Sequence, residues 1–201
     1  MVSVAPKSRR KRVPPVRVVA IGASAGGING LIKFLPDLPL IPNCCLLIVV
    51  HLHPTSRSFL PEILRRVAHW KVKQAQDGEP ICAGMIYIAP PDFHLTLLGS
   101  RLHLDLSGLV RLHRPSVDVL FESVGKARGS SAIGVLLSGS GSDGSQGLRS
   151  MKMSGGSTIV QDPAEAMFSA MPTHAVETGC VDFIIPMRSI APKISSLCSQ
   201  G

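Results

Sequence analysis

Aromatic side chains are scarce in this sequence: one Trp, one Tyr and six Phe among 201 residues. Single-stranded nucleic acid is commonly held by stacking bases on aromatic platforms, so the shortage argues against that class of partner despite a formal charge of +8. The first 17 residues contain no acid, yet they hold Lys7, Arg9, Arg10, Lys11, Arg12 and Arg17. Without those six the charge falls to +2. The basicity is therefore a property of the tail, and a solvated, disordered segment is expected over residues 1–16, ahead of a folded body over 17–201. No apolar run reaches the roughly 18 residues of a membrane-spanning helix, so no membrane insertion is expected. A signal peptide is also disfavoured: the apolar stretch from Val18 is short, and cleavage near Ala23-Ser24-Ala25 would destroy the motif described below. Cysteines are few and odd in number, at Cys44, Cys45, Cys82, Cys180 and Cys198, with no C-x-x-C. Adjacent Cys44 and Cys45 would point to opposite faces of a strand. Reduced thiols and a cytoplasmic location follow as expectations.

Hydrophobic residues make up 45% of the chain, enough for a core that needs no disulfide or metal. Short β-branched runs alternate with longer helical patterns. Strands are expected over 17–22, 45–51, 86–89, 94–98, 101–105, 132–138, 157–161 and, more weakly, 181–185. Helices are expected over 27–35, 58–67, 117–128, 146–153, 172–178 and 190–197, with Ser116 as the cap of the third. Continuous apolar strands separated by helices imply an α/β fold, a three-layer sandwich around a mostly parallel sheet. The pair 94–98 and 101–105, joined by Gly99-Ser100, reads as an inserted antiparallel hairpin.

In such a sheet the chemistry gathers at the carboxyl ends of the strands. The first strand runs into Gly22-Ala23-Ser24-Ala25-Gly26, the G-x-S-x-G pattern in which a serine is exposed on a sharp turn between strand and helix. The second ends in Val50-His51-Leu52-His53-Pro54. The sixth ends in Leu137-Ser138-Gly139-Ser140-Gly141-Ser142-Asp143-Gly144. A serine hydroxyl is a weak nucleophile until a histidine takes its proton and a carboxylate fixes the imidazole's tautomer. Ser24, His51 and Asp143 have the right chemistry for these roles. The Ala25 N–H, at the start of a helix, could steady a developing oxyanion, with a second donor from the loop around Ser140. Taken singly, each residue has a plainer reading as a turn, a cap or a backbone-bonded histidine. Their joint appearance at three strand ends favours catalysis.

Other readings compete. Gly22-x-x-x-x-Gly27 and Gly139-x-Gly141-x-x-Gly144 invite nucleotide binding, but Ser24 replaces a glycine of the dinucleotide fingerprint, Asp143 would repel phosphate, and neither loop has a P-loop lysine. His51 and His53 could bind zinc from one face of a strand, but no third ligand has motif spacing. His174 would complete the Ser-Asp-His order of an α/β-hydrolase with Ser24 and Asp143. Its place in Met171-Pro172-Thr173-His174 reads instead as the start of a helix, and His51 is preferred. No cofactor and no metal are expected.

Together, the segments Ile21–Gly27, Val50–Pro54 and Leu137–Gly144 resemble the signature segments of the chemotaxis protein-glutamate methylesterase catalytic domain. Ile88–Leu95, Pro115–Phe121 and the stretch from Gln161-Asp162-Pro163 to Met171-Pro172 match in type and order. The resemblance implies a Rossmann-like domain in which Ser24 is the nucleophile, His51 the general base and Asp143 the orienting acid. It places the oxyanion donors at the N–H groups of Ala25 and Ser140. The implied reaction is hydrolysis of glutamate γ-methyl esters on the cytoplasmic helices of chemoreceptors, with glutamine deamidation in some relatives. Family members usually carry a phospho-acceptor receiver domain before this one. Here only the basic tail precedes the matching segment, so a separate receiver domain is an expected partner. Ser140 stands where methionine is typical, Val50 where glutamine is usual and Pro91 where glycine is common. These departures keep a second function class in view: a catalytically silent module that docks a receptor or signalling partner.

Overall fold

A computed structural model of the chain describes residues 16–51 and 58–199. The expected tail and His53 lie outside the described residues. In chain order the elements are β1 (Arg17–Ala23), α1 (Gly27–Phe34), β2 (Cys44–Val50), α2 (Leu60–Arg65), β3 (Lys71–Gln74), β4 (Met85–Ile88), β5 (His94–Leu98), β6 (Arg101–Asp105), α3 (Val117–Arg128), β7 (Ala132–Leu136), α4 (Ser145–Met153), β8 (Ser157–Gln161), α5 (Ala170–Glu177), β9 (Phe183–Ile185) and α6 (Met187–Ser199). Seven strands form one sheet in the order β3-β4-β2-β1-β7-β8-β9. Each neighbouring pair in it is parallel. β5 and β6 form the expected antiparallel hairpin.

The central strands are apolar on both sides because both sides are covered. Val19, Ile21, Leu46 and Ile48 face a layer built from Leu31 and Phe34 of α1, Leu60 and Leu64 of α2, and Ile190 and Ile194 of α6. Val18, Ala20, Leu47 and Val49 face the opposite layer, with Leu120 and Phe121 of α3, Leu148 and Met151 of α4, and Met171 of α5. The hairpin closes this second layer with Leu95, Leu97 and Leu102. Each large side chain taken fully out of water stabilises the fold by roughly 1.5–3 kcal/mol. Cys44 and Cys45 fall in opposite layers as their alternation requires, and burial pushes the Cys45 thiol up to about 12. That thiol is a core group and no nucleophile at neutral pH.

β3 was not expected from the sequence. Its Lys-Val-Lys-Gln offers a single buried residue, Val72, and it forms one edge of the sheet. Short, charged strands are how sheets end without recruiting further chains, and such a strand carries little apolar signal. Among the described residues no helix is long and apolar enough to cross a membrane.

Candidate active site

β1, β2 and β7 lie side by side in the middle of the sheet, with β1 between the other two. Ala23 is level with Val50, and just beyond that pair the His51 N–H donates to the Ala23 carbonyl at 3.2 Å. Ser24 therefore leaves the sheet beside His51, at the usual strand spacing of about 4.8 Å. On its other side the Ser24 N–H donates to the Ser138 carbonyl at 3.0 Å, two residues past the end of β7.

Glycines make these approaches feasible, for two different reasons. Gly26 takes φ +74° and turns the chain from β1 into α1, where left-handed backbone suits glycine. Gly22 and Gly139 serve by lacking a side chain. A Cβ on Gly22 would lie 2.1 Å from Val117 Cγ1, and one on Gly139 would lie 2.8 Å from Ser24 Cβ.

His51 and Asp143 are joined. His51 Nε2 lies 2.8 Å from Asp143 Oδ2, with the two side chains 8% and 0% exposed. Asp143 also accepts from the Ser116 hydroxyl at 2.9 Å and from the Val117 and Asp118 N–H groups at 2.7 and 3.0 Å. Those N–H groups form the start of α3, a site that favours negative charge. Burial alone would raise the Asp143 pKa, but hydrogen bonds from His51, Asp118 and Val117 outweigh it and hold the carboxyl below its usual range. Asp143 is thus an anion at neutral pH, so Nε2 carries the proton it shares with Asp143. The other nitrogen, His51 Nδ1, is then the one with a free lone pair. Among the described residues it is the buried side-chain polar atom with no hydrogen-bond partner.

A second carboxylate supports the first. Asp118, in the first turn of α3, accepts from the Gly144 and Gly147 N–H groups at 2.9 and 2.6 Å, where α4 begins. Each helix start is therefore capped by the acid that belongs to the other. Arg111 completes the arrangement, donating from Nε to Asp118 at 2.7 Å and from an Nη atom to the Ser142 hydroxyl at 3.0 Å. Burial, reinforced by the charge of Asp143, raises the Asp118 pKa against the Gly147 N–H and Arg111.

The Ser24 side differs. Among the described residues the Ser24 hydroxyl makes no hydrogen bond, and the N–H groups of Ala25 and Ser140 have no acceptor. Ser138 ties this side together instead. Its N–H donates to Gln161 Oε1 at 2.9 Å, and its hydroxyl bonds the Ala25 carbonyl at 2.8 Å and the Phe168 N–H at 3.0 Å. Exposed apolar residues stand near both groups: Met167 against Gly26 and Phe168 bonded to Ser138 on the serine side, and Leu112, 87% exposed, adjoining His113 on the other.

His174 is placed elsewhere. It sits on α5, where Nδ1 bonds the Ala170 carbonyl at 2.7 Å, and it makes no contact with Asp143. Among the described residues no group of three His, Cys, Asp or Glu could hold a metal. Sequence reasoning missed His113, whose ring stacks on His51 with centroids 3.6 Å apart and planes 10° from parallel. It also missed the bond from Ser116 to Asp143, the cross-capping by Asp118 and the knot at Ser138. The only local hint was the Ser116-x-Asp118 helix start.

Comparison with known proteins places this geometry in context. Residues 19–194 match the family described as CheB methylesterase. A relative from Leptospira interrogans is 38% identical over 174 residues, which cover 86% of this chain and 90% of that protein. A protein-glutamate methylesterase/protein-glutamine glutaminase from Photorhabdus laumondii is 37% identical over 204 residues, and the match spans 58% of its length. The crystal structure of the Thermotoga maritima CheB methylesterase catalytic domain superimposes with a TM-score of 0.86 at 33% identity, covering 92% of this chain and all of that one.

Proposed function

The chain belongs to the CheB methylesterase family, and on that premise we propose that it is a serine esterase acting on glutamate γ-methyl esters of chemoreceptor-like helices in the cytoplasm. Ser24 is the nucleophile, His51 the general base and Asp143 the acid that orients it. The observation that carries this reading is the buried bond between His51 Nε2 and Asp143, which leaves Nδ1 free on the strand next to Ser24.

In the reaction, Ser24 Oγ attacks the ester carbonyl while His51 Nδ1 takes its proton. Asp143 steadies the imidazolium without accepting the proton itself. The N–H groups of Ala25 and Ser140 receive the oxyanion, and their uncommitted state supports that role. The tetrahedral intermediate collapses as Nδ1 returns the proton to the methoxy oxygen, releasing methanol. Water then repeats the sequence on the acyl-serine and frees the glutamate carboxylate. A glutamine side chain would follow the same path, with ammonia leaving. Catalytic hydrogen bonds are often loose before substrate binds, and this scheme needs the Ser24 hydroxyl to come within bonding reach of Nδ1.

The surroundings support a macromolecular substrate. Met167, Phe168 and Leu112 offer exposed apolar contacts near both groups, the character of a protein-docking surface. The test is incubation with methylated receptor cytoplasmic domains, measuring released methanol, with the Ser24→Ala protein as control. Methanol release that depends on Ser24 supports the proposal. Receptor binding without release, indifferent to Ser24→Ala, assigns the chain to the silent docking class instead.

A further inference from the structure

His113 lies outside the Ser-His-Asp set, yet its ring covers one face of His51. It is held there by more than proximity. Val110 and His113 exchange two backbone hydrogen bonds, at 3.1 and 2.9 Å, around a two-residue turn. Both turn residues, Arg111 (φ +49°) and Leu112 (φ +67°), are left-handed without being glycine. Such backbone persists only where the surroundings enforce it. Arg111 is fixed to Asp118 and Ser142, and Arg114 to Asp92 and to the carbonyls of Leu106 and Ser107. Buried His94 closes the loop, accepting from the Ser116 N–H at 3.1 Å and bonding the Gly108 carbonyl at 3.2 Å. The flanking guanidiniums therefore spend their charge on other partners, and the groups facing the His113 ring are His51 and Asp143.

We propose that His113 is a positioning residue: a neutral aromatic plate that fixes the plane of His51 so that Nδ1 faces Ser24, and that steadies the imidazolium formed there during turnover. An aromatic face attracts a cation stacked on it, and planar rings in contact resist rotation past one another. The plate works only while uncharged. Burial, then the neighbouring His51, hold His113 below the ordinary histidine value against a smaller pull from Asp143, which keeps it neutral at pH 7.

This inference rests on the esterase reading, so its test has two arms. The first compares kcat and KM for His113→Phe, His113→Ala and His113→Lys. Phenylalanine keeps the plate and is expected to stay within about twofold of the wild type. Alanine removes it and is expected to lower kcat about tenfold, equivalent to about 1.4 kcal/mol, with KM little changed. Lysine adds a fixed cation beside the imidazolium and is expected to cost on the order of a hundredfold. Wild-type kcat in His113→Ala, or a His113→Phe as slow as His113→Ala, overturns the proposal. The second arm needs no turnover: ring nitrogen resonances of His51, recorded by NMR on labelled protein. Broadening or tautomer mixing in His113→Ala but not in His113→Phe supports the positioning role, and unchanged resonances in both overturn it. Failure of the esterase reading appears separately, as a wild type with no Ser24-dependent hydrolysis.

Discussion

The two halves of the cleft are built in opposite ways. On the His51–Asp143 half the carboxylate is fully bonded and one ring nitrogen is left over: Asp143 is 1% exposed and bonded to His51, Ser116, Val117 and Asp118, and among the described residues His51 Nδ1 alone lacks a partner there. On the Ser24 half, the hydroxyl and the N–H groups of Ala25 and Ser140 stand uncommitted, and Met167 and Phe168 face solvent. On the proposed reading, the acid that must hold still is fully bonded, and the groups that would meet an incoming ester are left free. In the proposed mechanism preorganisation means fixing the acid first, since a buried carboxylate without partners would take up a proton and lose its purpose.

Removing the free half should abolish chemistry and spare the fold. Ser24→Ala is expected to lower hydrolysis by about a millionfold, measured as methanol release or fluorophosphonate labelling, with a melting temperature near that of the wild type. Equal loss of stability and activity would break the contrast.

Striking the bonded half should damage both. Asp143→Asn is expected to slow hydrolysis by about ten-thousandfold and to destabilise the fold by about 1.5–3 kcal/mol, the scale for losing hydrogen bonds to a buried charged group. Asp118→Asn sharpens the comparison, because its raised pKa means that the neutral form is tolerated. It should cost clearly less. The two acids also differ in sign with pH. Asp143 is depressed, so its contribution is present above the unfolded carboxylate value of about 3.9 and is lost as pH falls through its native pKa. The contribution of Asp118 is present below the unfolded value and is lost as pH rises through its native pKa. On acidification Asp118→Asn should therefore lose stability more steeply than the wild type, and Asp143→Asn less steeply. Urea midpoints between about pH 3 and pH 6 decide this.

Two smaller effects probe the seams. Gly139→Ala places a Cβ 2.1 Å from Met171 Sδ and 2.8 Å from Ser24 Cβ. Met171 is fully buried and Ser24 is held by its turn, so a loss of activity of about a hundredfold is expected, in the same methanol assay. Leu112→Gly relieves a left-handed residue that is 87% exposed. It should stabilise the fold by roughly 0.5–1 kcal/mol, read as a rise in melting temperature.

Much of the sheet was legible because its signals are local. Apolar runs at 17–23 and 44–50 stop directly before Ser24 and His51, and the run at 132–136 leads into the polar, glycine-rich loop that carries Asp143. The roles of Gly22 and Gly139 were half legible. The G-x-S-x-G pattern marks the turn at Gly26, but that Gly22 and Gly139 make room for Val117 and Ser24 follows from contacts distant in sequence. His113 and Asp118 were not legible as parts of the site. Each earns its place through contacts more than 20 residues away in sequence, with His51 and with the start of α4, and no spacing rule connects such positions.

The hydrogen bond from the His51 amide to the Ala23 carbonyl continues the β1–β2 ladder past its last residue pair. The proposed base and nucleophile therefore adjoin the most deeply buried strands. On the proposed reading, catalytic competence and the global fold are expected to melt together, with no inactive but otherwise folded species in between.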